Sequence, residues 1–276
     1  MRRQSAKKAV RAAALSVGLT LCGLGSSPAW ADDLSWDTNT STTGAQGGSG
    51  TWSSGGGNWW NALLGANDTW TNGDTATFAG TGGTVSISGQ LTAQTFTISS
   101  TGYQFNFDGS DLISVTGAFT TNQPVTFSMN LSGSTNFADP LHWSRGLQFT
   151  DNTTIASNVT VKTSSSGWAL MGISGAGKVL SFAGEWDGGT SSPAGSRIGL
   201  AGGAKLLVKA GARINNNQTD AVNARRWEIA SDGNVNNVVE FEEGFDADIT
   251  HDYALGDGLS TFRIGDNVTW ITHHTR

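Results

Sequence analysis

The sequence has a single cysteine, Cys22, and that residue sits in an N-terminal segment built like a leader. Residues 1–31 carry Arg2, Arg3, Lys7, Lys8 and Arg11 with no acid, then an uncharged run from Ala12 to Leu24, then Ala29-Trp30-Ala31. A basic start, an apolar run too short to span a bilayer stably, and two small residues ahead of a cleavage point are the pattern of a secretory signal peptide. We expect cleavage after Ala31. The remaining residues, 32–276, then hold no thiol, which excludes a disulfide framework and a cysteine nucleophile. Leu21 is bulkier than the residue a lipoprotein signal places before its cysteine, and Arg2-Arg3 lacks the flanks of a twin-arginine signal.

Positive charge is also scarce. Eleven of the sixteen Lys and Arg, against all twenty-two Asp and Glu, remain after residue 31, a net charge of −11. Apart from Arg225-Arg226 the cations are scattered, so a nucleic-acid backbone is excluded as a partner. Material for helices is lacking as well. Charged residues are only 14%, glycine accounts for 38 positions, and no stretch after the leader sustains a 3.6-residue apolar period. Phosphate loops, nucleophile elbows in a strand-to-helix setting and helical metalloprotease motifs are missing too. No cofactor is expected.

What is present is a rhythm of short alternating runs between Gly, Asn and Asp turns. Thr84–Ser88, Thr95–Ile98, Tyr103–Phe107, Val125–Met129, Val159–Lys162, Val179–Phe182, Lys205–Lys209, Val238–Phe241, Thr261–Ile264 and Val268–Ile271 each read as a half-buried strand. Many short strands at this spacing fit two architectures: a right-handed parallel β-solenoid (β-helix) with about three strands per coil, or a β-sandwich. The all-β solenoid is the preferred expectation, with Asn215-Asn216-Asn217 and Asn236-Asn237 as candidate stacked turns. Residues 32–83 differ in composition. They hold Trp36, Trp52, Trp59, Trp60 and Trp70 among clustered glycines. Large aromatics folded over the first coil would shield its open edge, so we expect a Trp/Gly-rich N-terminal cap over 32–83 and a solenoid over 84–276.

The series Gly50-Thr51-Trp52, Asn58-Trp59-Trp60, Trp70-Thr71-Asn72-Gly73-Asp74-Thr75-Ala76-Thr77-Phe78, Gly82-Gly83-Thr84-Val85, Leu91-Thr92-Ala93, Phe96-Thr97-Ile98 and Gly102-Tyr103 resembles the autotransporter-associated β-strand repeat. The resemblance covers about residues 50–116; beyond that it extends only to composition and strand rhythm. It implies a large secreted or surface β-helical passenger that often ends in an outer-membrane barrel. This sequence stops after Thr272-His273-His274-Thr275-Arg276 without barrel strands or an anchoring helix, so the expectation is a passenger incomplete at its C-terminus, reaching a membrane only through a missing anchor.

Candidate chemistry is thin. Glu242, Glu243, Asp246, Asp248, His251, Asp252 and Asp257 form the one dense acidic region, which brings to mind paired carboxylates or a calcium site. Their spacing matches no metal loop, so solvated turns are the expectation, with no metal and no catalytic residue. Ser174 and His142 read as turn and strand-edge residues. Trp59 and Trp60 are the candidate ligand-binding residues, as flat platforms for sugar rings, with packing in the cap as the competing role. The function expected is a non-enzymatic, adhesin-like or scaffolding passenger, secreted or on the outer membrane of a Gram-negative-type cell. It would contact cell-surface or matrix glycans or proteins. The alternative is a carbohydrate-binding or carbohydrate-active solenoid, a lyase or hydrolase.

Overall fold

A computed structural model describes residues 31–132, 145–163, 168–187, 195–215, 227–231, 236–249, 253–255, 261–264 and 269–272. The chain divides into two compact units, Met1–Trp30 and Ala31–Arg276, and every described strand belongs to the second. That unit is all-β: its described residues contain 27 strands and no helix.

Nearly all pairing is parallel, and the strands fall into three stacks. The first begins with Asp33–Trp36, Thr75–Phe78, Thr95–Ile98 and Phe119–Thr121. A separate sheet of the same kind continues it: Thr153–Ile155, Val179–Phe182, Lys205–Val208, Val238–Phe241 and Thr261–Ile264. The second stack runs Gly50–Ser53, Thr84–Ser88, Tyr103–Gly109, Val125–Leu131, Val159–Thr163, Glu185–Asp187 and Arg213–Asn215, with Asp246–Ile249 and Thr269–Thr272 as a further parallel pair. The third runs Gln90–Ala93, Leu112–Val115, Gly146–Phe149, Trp168–Ser174, Gly195–Ala201, Trp227–Ser231 and Tyr253–Leu255. From Thr75 onward the chain visits the first, second and third stacks in that order, again and again.

Register converts this order into columns of like side chains. Val85, Phe105, Phe127, Val161, Trp186 and Ile214 lie opposite one another through successive pairs of the second stack, and all six are buried. In the third stack Leu91, Ile113, Leu147, Met171 and Ile198 form the equivalent column. Because strand side chains alternate in direction, one residue in two enters such a column. Each large apolar side chain so buried contributes about 1.5–3 kcal/mol. The intervening Ser and Thr positions of Thr84–Ser88 face water.

Direction changes at one pair, Leu131 opposite Trp168, which joins the second and third stacks into one sheet, and in the aromatic segment. Trp59–Asn61 pairs antiparallel both with Asp33–Trp36 and with Ala66–Asp68, so the first stack ends in a hairpin whose outermost strand is three residues long. Thr75–Phe78 and Gly50–Ser53, also inside 32–83, already join the parallel stacks; regular stacking thus begins within the aromatic segment. Close backbone approach is fixed by Gly47, at φ +76, where a Cβ would lie 2.3 Å from the Thr81 carbonyl oxygen and 2.5 Å from the Tyr103 hydroxyl.

Candidate functional site

The tryptophans divide by strand parity. Trp59 and Trp60 are adjacent on one strand and face opposite sides. Trp59 is fully buried, with ring centroids 5.1 Å from Trp36, 5.1 Å from Trp52, 4.7 Å from Trp70 and 5.5 Å from Phe78. Most of these contacts are edge-to-face or tilted, the arrangement favoured by ring quadrupoles. Trp36, Trp52 and Trp70 are buried with it, so four of the five indoles in this segment are core, and Trp59 offers no free face to a sugar ring. Trp60 is half-buried on the outer side, opposite Ser35 on one neighbour and Asn67 on the other. Of the two candidate residues, only Trp60 keeps a partly exposed face.

The aromatic packing runs on into the columns. Phe78 and Phe105 are 4.8 Å apart, Phe96 and Phe105 5.2 Å, Phe105 and Phe127 5.2 Å, and Phe119 and Phe149 5.5 Å. Indole N–H groups are treated unequally. Trp36 Nε1 donates to the Gly48 carbonyl at 2.8 Å, and Trp70 Nε1 to Asn72 Oδ1 at 3.3 Å. Those of Trp52 and Trp59 meet no acceptor among the described residues.

A polar network that sequence reasoning missed surrounds the Asn72-Gly73-Asp74 turn. Asn72 Oδ1 also accepts the Thr92 amide at 2.9 Å, while its Nδ2 donates to the Gln90 carbonyl at 3.2 Å. Asp74 is buried, and its two oxygens accept the backbone amides of Asp32, at 3.1 Å, and Thr71, at 2.8 Å. Burial pushes its carboxyl above the usual range, and the carboxylates of Asp32 and Asp68 add to the push; the two amide hydrogen bonds oppose it. The only signal in the sequence is a turn tripeptide, which does not tell what the side chains reach.

The acidic region divides. Glu242 forms an ion pair with Lys209 and accepts the Ala210 amide at 2.9 Å, and the Lys209 hydrogen bond holds its carboxyl below the usual value. Glu240 pairs with Lys205 at 2.7 Å and Asp151 with Lys178 at 2.7 Å. All three pairs link neighbouring strands of the first stack or the turns beside them. Asp246 and Asp248 lie on a strand in register with Thr269 and Ile271, whereas His251, Asp252, Asp257 and His142 fall outside the described residues. No group of three or more His, Cys, Asp or Glu able to hold a metal occurs among the described residues. Asn237 is buried and grips backbone: its Oδ1 accepts the amides of Gly203 and Ala204 at 2.9 and 3.1 Å, and its Nδ2 donates to the Leu200 carbonyl at 3.1 Å. Asn216 and Asn217 fall outside the described residues. Ser174 ends a strand rather than forming a turn.

No known protein family, curated protein or solved structure matches this chain.

Proposed function

We propose that residues 32–276 form an exported, non-enzymatic right-handed β-solenoid, an adhesin-like or scaffolding passenger at a bacterial surface. The observation that carries this reading is the cyclic order in which the chain returns to three parallel stacks. Return to the same three stacks, each time beside the previous visit, supports a wound chain. Right-handed connection is the hand that twisted parallel strands take. Columns of packed side chains in the interior and Ser, Thr and Asn on the outer strand positions support a module whose sides are its working surface. The leader-like residues 1–31 support export, and Asp151, Glu240 and Glu242 are engaged in ion pairs, as suits a structural role.

The test is to follow the protein with an antibody against residues 32–276 in culture medium, periplasm and outer membrane, and to assay each fraction on polysaccharides. Surface or medium localisation without turnover is the expected outcome. Retention in the cytosol overturns the export reading, and turnover of a polysaccharide overturns the non-enzymatic one. Binding of a glycan that is lost on Trp60→Ala selects the carbohydrate-binding alternative, for which the half-buried outer indole is the specific support.

A further inference from the structure

The residue that removal of the leader would expose lies against a buried carboxylate. Asp32 N is 3.1 Å from Asp74 Oδ1. The Asp32 carbonyl accepts the Thr75 amide at 2.8 Å, and Asp33 is in register with Thr75. The position of that nitrogen is therefore set by the parallel ladder and not by a free tail. Asp74 is 5% exposed, and the charged groups that bear on it, Asp32 and Asp68, are both acids. In the uncut chain this carboxylate is met by neutral amides and like charge, an arrangement that costs stability when Asp74 ionises.

We propose that cleavage after Ala31 creates an α-ammonium on Asp32 that forms a charged lock with the Asp74 carboxylate, so that processing itself completes the N-terminal end of the fold. Hydrolysis consumes one water, leaves a carboxylate on Ala31 and converts the Asp32 amide N–H into an ammonium with three donors. The donor already in place becomes charged, and charge-assisted hydrogen bonds are roughly twice as strong as neutral ones. Processing moves the pH window of this contribution upward without changing its sign. Before cleavage, Asp74 has its pKa raised by burial, so its contribution to stability is complete below the ordinary carboxylate value and lost as pH rises through the folded one. After cleavage the ammonium is the group raised. Its contribution is complete below about pH 7.7, the ordinary α-amine value, and lost as pH rises through the higher folded value.

This inference rests on the export reading, and one experiment separates the two. The exported protein is purified, its mass is measured, and the rate at which acetic anhydride modifies its terminal amine at pH 7 is compared among three chains. These are the native protein, Asp74→Asn, and a chain with one glycine inserted between Ala31 and Asp32. The insertion restores a neutral amide at Asp32 and moves the amine one residue away while leaving Asp74 intact, so it serves even if Asp74→Asn fails to fold. We expect a product beginning at Asp32 whose amine reacts about tenfold more slowly than in either variant, the change one pKa unit produces. A product beginning elsewhere overturns both the processing site and the lock. A product beginning at Asp32 whose amine reacts at the same rate in all three overturns the lock and leaves export standing.

Discussion

The N-terminal end of the described fold and its internal layers are held by different means. In residues 32–83 the interior is indole against indole, the strand direction reverses, and the outermost strand has three residues. Around residues 200–242 the interior is Leu206, Val208, Val239 and Phe241, and neighbouring layers are joined outside by Lys205–Glu240 and Lys209–Glu242 and inside by Asn237. A terminal layer lacks a neighbour on one side, so it needs large rigid side chains that pack among themselves. An internal layer is covered above and below, and modest apolar residues suffice when each sits in register over the last.

Breaking the aromatic end should have the largest effect. Trp59→Ala removes the indole at the centre of the cluster and is expected to cost about 3–5 kcal/mol, read as a fall in urea midpoint. Trp60→Ala, one residue along but on the outer side, should cost about 1 kcal/mol or less; equal losses would dissolve the distinction between core and surface indole. In the internal layers, Asn237→Ala strands two backbone amides and is expected to cost about 1–3 kcal/mol, with faster hydrogen exchange at Gly203 and Ala204 as its local signature. A finer comparison lies within the cluster. Trp36→Phe loses a hydrogen bond as well as volume, whereas Trp52→Phe removes an N–H that has no acceptor among the described residues, so the first should be the more damaging by about 1 kcal/mol. The smallest effect is expected from Lys178→Met. Its pair with Asp151 lies open to solvent, and thermal midpoints at physiological salt should be unchanged. Asp151 and Glu242 titrate below the usual carboxylate range, so what these pairs contribute is present above that range and lost as pH falls through their folded values.

Several strands with one wet face were legible, and two strands with long buried runs were not. Thr84–Ser88, Thr95–Ile98, Val179–Phe182 and Val238–Phe241 alternate between buried and partly exposed positions, and the structure has strands at those residues. Gly146–Phe149 is buried throughout, and Trp168–Ser174 reads Ala169-Leu170-Met171 with all three buried. Alternation reports a boundary between water and core, and a strand covered on both faces has none. Gly172, where a Cβ would lie 2.2 Å from Gln148 Oε1, shows how closely that outer face is covered. The aromatic cluster was legible as composition, and its partition was available too, since neighbours on a strand cannot share a face. The Asp32–Asp74 contact was not, because 42 residues separate the pair and nothing short of the register brings them together.

The recurring three-stack order also bears on how the chain finds its fold. Partners in the parallel ladders lie between 20 residues apart, as for Thr75 and Thr95, and 42 apart, as for Asp33 and Thr75. Closing a loop costs only about 0.6 kcal/mol more for each doubling of its length, so no layer is much harder to add than another. Each new strand has its parallel partner only 20–42 residues earlier in the chain. Order can then advance along the polymer like a zip, with the hairpin of tryptophans as its fixed end.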